Sequence, residues 1–518
     1  MIRSSMIYSG LTLVSRFMGF LRDLVITARL GASATPAADV YNTMLSFPNL
    51  FRRIFAEGAF AAAFVPAYAR TLKGDGEEAA DRIASDAMAS LAAATIILTL
   101  VAQLAMPWLM YAINPGYAED PVKFKLAVSL TQISMPYLPC MAIGALLSGV
   151  LNARGRFIVS GAFPVLLNIV MLAAVWPQSD PISGAWASAW AVLTAGVLQA
   201  GLLWWGARKA GADIRLRWPR LTPEVKSLIA LAIPGAIAAS ATQINIFISG
   251  ILASFVAGGR SWLAAADRLY QLPLGLVGVA VGVALLPRLS QAIQAGDTDE
   301  AQTATDQAIV FALALTLPAA AALSAIPFFL IDGLFTRGEF TVVDARATAS
   351  ALLHYGWGVP AFVLNRVLSP VFFARQDTKA PMRFALISVA VNIALGLILF
   401  RLIGIPGIAA ATSFAAWLTI VQMLTALARR GDYRPSKRAI GKIIRVAAAS
   451  LALGVILGLA SHFRPLIEAP LQGLRFGTKE IAILVVCLVG GGLYPVLLFA
   501  FGGVTPAEAK AALRRRKA

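Results

Sequence analysis

Fourteen stretches of about 20 mostly apolar residues, parted by polar or Pro/Gly breaks, fill the 518-residue chain. A bilayer core about 30 Å thick takes that length of helix to cross, so each stretch reads as a membrane span. Their cores run over 6–30, 36–68, 85–112, 126–152, 158–177, 184–207, 227–256, 263–287, 307–333, 347–373, 383–400, 407–428, 440–462 and 480–503. Only 14% of residues are charged and the mean hydropathy is +0.75, which excludes a soluble globular protein. Cys140 and Cys487 both lie in apolar runs, and His354 and His462 are far apart. These four residues make no disulfide framework, thiolate metal site or Cys/His catalytic pair, and no cofactor is expected. The opening run holds Arg16, Arg22 and Asp23 and lacks a signal-peptide cleavage pattern, so the first span is expected to stay in the mature protein.

The formal net charge of +18 takes its meaning from where the charges fall. With an even number of spans both termini share one side. That side, with the even-to-odd connections, holds 28 Lys and Arg against nine on the other. The positive-inside rule then makes the termini cytoplasmic. Segments 208–226 and 429–445 are strongly basic, which orientation and contact with anionic lipid headgroups explain without nucleic acid. Segment 70–86 mixes acids and bases and reads as a solvated loop entering a helix. No phosphate-binding glycine loop is present, so ATP hydrolysis is not expected. Seven arginines remain within or at the edges of spans: Arg16, Arg22, Arg29, Arg52, Arg53, Arg268 and Arg366.

Landmarks of the first six spans recur in the next six at an offset of 220 to 225 residues. Pro48 matches Pro273, Pro66 matches Pro287, and Pro107-Trp108 matches Pro327-Phe328. Ala153-Arg154 matches Ala374-Arg375, Gly184 matches Gly407, and Gln199 matches Gln422. Six spans per repeat give both halves the same topology, hence a pseudo-twofold axis along the membrane normal and a site at their interface near mid-membrane. The expected fold is an all-α polytopic membrane protein of about fourteen helices, two six-helix lobes plus two C-terminal helices. Its expected divisions are 1–207, a basic linker 208–226, a second lobe 227–430, the last two helices 431–503 and a basic tail 504–518.

An intramembrane charge costs at least about 2.5–3.5 kcal/mol on insertion scales, so such residues face a polar interior and mark a pathway. Arg53 and Glu57 are four apart on one helix face, and Arg16 and Asp23 are seven apart, two turns along. Arg22 and Arg52 have no obvious local acid. Asp267 adjoins Arg268 but points elsewhere round the helix. Arginine binds phosphate oxygens bidentately and keeps its charge, so this set suggests a cavity for a polyanion. Bracing of carbonyls or snorkelling is the alternative, and the better account of Arg29 and Arg366. Pro48, Pro66, Pro273 and Pro287 interrupt intramembrane helices, either to line a watery cavity or as packing kinks. Asp39 reads equally as a gating or ion-coupled carboxylate and as a solvated helix-start residue. His354 reads as a core histidine.

The run Ser15-Arg16-x-x-Gly19-Phe20-x-Arg22-Asp23, the block from Pro48-Asn49-Leu50-x-Arg52-Arg53 through Glu57-Gly58 to Pro66, and Ala266-Asp267-Arg268-Leu269 with Leu285-Leu286-Pro287 closely resemble the MurJ (MviN) family. These are bacterial lipid II flippases of the multidrug, oligosaccharidyl-lipid and polysaccharide exporter superfamily. The resemblance covers essentially the whole chain. It implies fourteen helices, alternating access through a central cationic cavity, and a transporter rather than an enzyme, in the bacterial cytoplasmic membrane. Arg16, Arg22, Arg52 and Arg268 match arginines that would bind the pyrophosphate of lipid II. Asp23, Asp39, Asn49, Arg53, Glu57 and Asp267 match structural or gating positions, and the last two helices would form a groove for the polyprenyl tail. Gln271 stands where some members carry an acid, so the resemblance does not carry over an acid-mediated gate or ion pair there. Membrane potential, a cation gradient or substrate supply would drive transport, with cell wall synthesis proteins as expected partners. The rivals are an exporter of another polyprenyl-diphosphate oligosaccharide, a drug antiporter of the same superfamily, a polyprenyl-phosphate enzyme and a scaffold. The enzyme would need an acidic metal cluster or an activated nucleophile, and the sequence offers neither.

Overall fold

Proline and glycine punctuate the apolar runs into helices, and the computed structural model shows where each break falls. It describes residues 2–51, 59–284, 286–471 and 477–503. Arg52, Arg53 and Glu57 lie outside the described residues. Among those described, the fold is nearly all helix, with no strand.

By contact the chain divides into two compact units, Met1–Ser261 with Arg337–Thr341, and Trp262–Thr336 with Val342–Ala518. The first holds α1 (Ile2–Leu30), α2 (Ala37–Phe51), α3 (Ala59–Gly74), α4 (Glu77–Leu104), α5 (Met106–Ile113), α6 (Pro121–Ser134), α7 (Tyr137–Ala153), α8 (Phe157–Val175), α9 (Pro181–Lys209) and α10 (Pro223–Ser254). The start of α11 (Gly259–Ala284) belongs to it as well, and the rest of α11 to the second unit. There follow α12 (Leu286–Gln294), α13 (Thr298–Ala325), α14 (Pro327–Phe335), α15 (Val342–Gly356), α16 (Val359–Ala374), α17 (Lys379–Ile403), α18 (Ile405–Arg430), α19 (Lys437–His462), α20 (Arg464–Glu468) and α21 (Thr478–Ala500).

The order of elements repeats. α4 breaks at Ala105 before Pro107, and α13 breaks at Ile326 before Pro327; each passes into a short second helix that starts with that proline in its first turn. Proline lacks an N–H, so it is tolerated there and ends the preceding ladder. α6 with α7 and α15 with α16 are likewise broken spans, at Met135–Pro136 and at Trp357–Gly358. Ten stretches among the described residues are long and apolar enough to cross a bilayer. The other four expected spans coincide with α1, α2 with α3, α10 and α11. Of these, α1 and α11 carry charge inside the span, which lowers their apolarity.

Each unit packs around its own apolar clusters, with small side chains where helices approach closely. In the first, Met44, Met106, Met110 and Leu130 form one cluster, and Phe64, Tyr68, Met88 and Leu147 a second. In the second, Ala308 and Ala312 of α13 pack with Val363, Val367 and Phe372 of α16. At Gly407 the backbones of α17 and α18 approach so closely that a Cβ would sit 2.4 Å from Leu399 C and O.

The basic end of each unit is closed by an acid, buried in the first unit and partly buried in the second. Asp81, 5% exposed, accepts from Tyr68 Oη (2.8 Å), Arg154 Nη2 (2.8 Å) and the Asp213 amide (2.7 Å). This pins α3, α4, α7 and the segment after α9 to one carboxylate. In the second unit Asp306 accepts from Tyr433 Oη (2.6 Å) and the Ser436 amide (3.4 Å), while Arg375 pairs with Asp432 (3.2 Å). Asp81 and Asp306 stand at the repeat offset, as do Arg154 and Arg375.

Candidate functional site

Three groups of polar side chains sit within the apolar helices. The first is on α1. Arg22 is 9% exposed; its Nη2 and Nε donate to Asp23 Oδ1 at 2.7 and 3.0 Å, and its Nη1 to Asn168 Oδ1 of α8 at 3.0 Å. Asn168 Nδ2 in turn donates to Ser15 O (3.1 Å), so α8 fixes both the arginine and the α1 backbone one to two turns away. Gly19 lies beside this contact, where a Cβ would sit at an ordinary van der Waals distance of 3.7 Å from the Asn168 amide. The expected partnering therefore changes. Asp23 serves its neighbour Arg22 rather than Arg16, and Arg22 has the local acid the sequence did not reveal. Arg16 is exposed.

The second group centres on Asp39, which is fully buried in the first turn of α2. Its carboxylate accepts from Lys123 Nζ (2.7 Å), the Gly258 amide (3.0 Å), the Ser261 amide (3.0 Å) and Ser261 Oγ (2.8 Å). Tyr117, also fully buried, holds the site from below: its hydroxyl is 2.9 Å from Thr43 Oγ1 and donates to Asp39 O (3.3 Å), and its ring lies 4.3 Å from Lys123 Nζ. Asp39 is thus no solvated helix-start residue. It ties α2 and α6 to the turn that opens α11. Asn49, near the far end of α2, is partly buried.

The third group is on α11 in the second unit. Arg268 is exposed, Asp267 accepts from Gln271 Nε2, and Tyr270 packs its ring 4.8 Å from Tyr355 and 5.3 Å from Phe362. Gln271, at the position acidic in some members, thus acts as a donor to Asp267. Trp262 Nε1 also donates to Asp344 (3.0 Å), so aromatic side chains seat this helix on α15 and α16. His354 is partly buried, and Arg366 is exposed.

Beside these, α13, α14, α19 and α21 enclose an apolar groove of about 340 Å³ lined by Pro318, Ala322, Leu330, Leu457, Val486 and Gly490. Tyr494 closes one part by donating to Ala314 O (2.7 Å). Past Leu330, Asp332 takes Arg464 Nη2 (2.5 Å) and Lys479 Nζ (3.0 Å), and Arg464 also pairs with Glu468 (2.6 Å). These bonds bind α14, α20 and α21 together. Among the described residues no group of three or more His, Cys, Asp or Glu is placed to hold a metal ion.

Sequence reasoning missed Asn168 and Lys123. Asn168 gives no signal in an apolar run. Lys123 does, weakly: Asp120-Pro121 is a helix start, and Asp120 caps the Val122 and Lys123 amides, so Lys123 belongs to a first helical turn and not to a free loop.

A family model described as "Lipid II flippase MurJ" matches residues 26–468. The chain is 40% identical to a protein of Rhizobium tropici named "Probable lipid II flippase MurJ", over 100% of this chain and 97% of that one. It is 37% identical to a protein of the same name from Rhizobium meliloti (98% and 95% covered) and 32% identical to "Lipid II flippase MurJ" of Burkholderia cenocepacia (96% and 96%). Among solved structures it is similar to "Lipid II flippase MurJ, inward closed conformation", with TM-score 0.77, 23% identity and 96% and 98% coverage. An inward-facing MATE-family multidrug transporter of the MOP superfamily shares the fold at TM-score 0.65 and 17% identity, over 82% of this chain and 98% of that one.

Proposed function

We propose that this chain, which belongs to the MurJ lipid II flippase family, moves the lipid-linked peptidoglycan precursor lipid II from the inner to the outer leaflet of the bacterial cytoplasmic membrane by alternating access. The observation that carries this reading is the family match along nearly the entire chain, together with the arginines that this chain places on α1 and α11.

The chemistry follows from the headgroup. A diphosphate and sugars drawn through hydrocarbon would lose their hydration, whereas fixed guanidinium donors replace water at the phosphates. Arg22, held by Asp23 and Asn168, is pre-oriented for such a task, and Arg16, Arg52 and Arg268 complete the set. The polyprenyl tail remains apolar throughout and fits the groove between α13, α19 and α21. Asp39 serves as a gating charge through its hold on the start of α11. Both termini face the cytoplasm, where the exposed Arg434, Lys437 and Arg438 meet anionic lipid headgroups. Lys209 over Trp205 (4.3 Å) has the aromatic-plus-cation character of an interfacial anchor. No cofactor is needed. Membrane potential, at about 2.3 kcal/mol per charge per 100 mV, or a cation gradient supplies direction. Partnership with cell wall synthesis proteins would couple supply to use.

The test measures lipid II exposed at the outer surface of cells that depend on this chain, comparing wild type with Arg52→Ala and Arg268→Ala at matched membrane abundance. Loss of exposure with normal lipid II synthesis supports the arginines as the translocation site. Full exposure in both variants returns them to structural braces. Full exposure after removal of the chain, in a strain with no other flippase, refutes the assignment.

A further inference from the structure

Of the four donors on Asp39, three belong to the Gly258–Ser261 turn and one, Lys123, to α6. Both ends of the Lys123–Asp39 pair are buried, with side chains 9% and 0% exposed. α2 and α6 are packed into the same hydrophobic cluster, through Met44, Leu126 and Leu130, so Lys123 and Asp39 move together. A second cation is near: Arg260, whose Nη2 reaches Ile113 O at 3.4 Å and whose Nε finds no acceptor among the described residues. Arg260, however, sits on the turn itself.

We infer that Lys123 is a positioning residue for transport: it keeps the Asp39 carboxylate paired when the Gly258–Ser261 turn lets go, so that the turn can be released and recaptured. This rests on the alternating-access reading above and adds to it the residue that makes one of its steps reversible. The physical reason is an asymmetry. With the turn engaged, Asp39 has two amide donors, a hydroxyl and Lys123. With the turn released it loses three hydrogen bonds and the proximity of Arg260 together, and a buried carboxylate without donors is far costlier than a paired one. Lys123 therefore stabilises the released state more than the engaged one. Tyr117 holds the lysine on station through its ring and steadies α2 through its bond to Asp39 O. Among the described residues, Tyr117, Arg260 and Lys123 are the titratable side chains facing this carboxylate.

The measurement is hydrogen exchange of the full-length protein in lipid nanodiscs, read by mass spectrometry on peptides covering 255–262, without lipid II. In Lys123→Met, exchange at the Gly258 and Ser261 amides is expected to slow by about tenfold, because release now strands a carboxylate; Lys123→Arg is expected to exchange like wild type. In cells, outer-surface lipid II is expected to fall at least about tenfold in Lys123→Met at matched abundance and to recover in Lys123→Arg. Where Lys123→Met fails to accumulate, Lys123→Gln, which keeps a donor without the charge, is expected to show slowed exchange of smaller size. Exchange at the wild-type rate or faster in the uncharged variants overturns the inference. So does equal impairment of Lys123→Arg and Lys123→Met, the mark of a brace that depends only on shape. The exchange experiment involves no substrate, so it judges Lys123 even where cells lacking this chain still expose lipid II and the flippase reading fails.

Discussion

Asp81 and Asp306, the acids at the basic ends of the two units, occupy equivalent places in the repeat but not equivalent chemistry, and the difference sets a ranked prediction. Replacing Asp81 with alanine removes the acceptor of three hydrogen bonds and the buried counterion of Arg154, whose side chain is 6% exposed. Removing one partner of a buried ion pair costs about 3–5 kcal/mol. Arg154 keeps Tyr68 Oη (2.8 Å), Ala210 O (3.1 Å) and the exposed Glu77 (3.2 Å), so the lower end, about 3 kcal/mol, applies. Replacing Asp306 strands no cation, because Arg375 pairs with Asp432 instead. It costs the Tyr433 hydroxyl its acceptor and releases one long amide bond, about 1–1.5 kcal/mol. Asp81→Ala should therefore shift the unfolding equilibrium about tenfold or more beyond Asp306→Ala, at about 1.4 kcal/mol per decade. Equilibrium unfolding of both variants in mixed micelles, followed by loss of helicity, measures the gap, and hydrogen exchange over 210–217 should accelerate only in Asp81→Ala. Equal losses, or a larger one at Asp306, would refute the claim that a buried counterion and not a mere hydrogen bond holds the first unit's end.

Gly407→Ala should destabilise severely, since its Cβ would meet the Leu399 backbone at 2.4 Å, while its repeat partner Gly184→Ala meets only the tip of Leu30 at 3.0 Å and should cost little; thermal stability in detergent ranks them. Asp377 lies in the loop before α17, where the Ala380 amide and then Arg430 hold its carboxyl below the usual range. A depressed folded value gives stability that is present above the unfolded carboxylate range, near 4, and lost as pH falls through the folded value. The stability gap between wild type and Asp377→Ala should thus be full at pH 7 and close in acid; a gap that widens on acidification contradicts this. Arg268→Ala should abolish lipid II exposure, whereas Arg22→Ala should lose both exposure and stability, because it removes the buried hydrogen bonds to Asp23 and Asn168 that hold the α1 and α8 contact.

What could be read along the chain is what proline and charge dictate locally. Pro107 and Pro327 made the repeat visible in the residue order, but the broken spans were not: helix breaks were expected at Pro48, Pro66 and Pro273, which lie inside α2, α3 and α11, whereas the ladders end before Pro107 and Pro327. The presence of arginines where hydrocarbon should be was visible as well. The partners of those charges were not visible, because α8 supplies Asn168 to Arg22 across 146 residues and α6 supplies Lys123 to Asp39 across 84. Packing decides such pairings, and no spacing rule reaches them. The Arg16 and Asp23 pairing shows the limit even within one helix. Seven residues bring two side chains to the same face but set them about 10.5 Å apart along the axis, beyond the reach of a direct ion pair. Arg22 adjoins Asp23 round the helix, yet its long stem lets the guanidinium fold back to 2.7 Å, and Asn168 from α8 holds it there. Sharing a face is therefore the weaker criterion for a long cation inside a membrane: an adjacent acid within its arc, plus a third group from a neighbouring helix, outweighs an acid two turns away. On α11, Gln271 donates to Asp267, the acid adjacent to Arg268. Gln271→Glu would set a second acid beside Asp267 and draw Arg268 toward the pair, and it should weaken lipid II exposure if Arg268 serves the phosphates from the position it now holds.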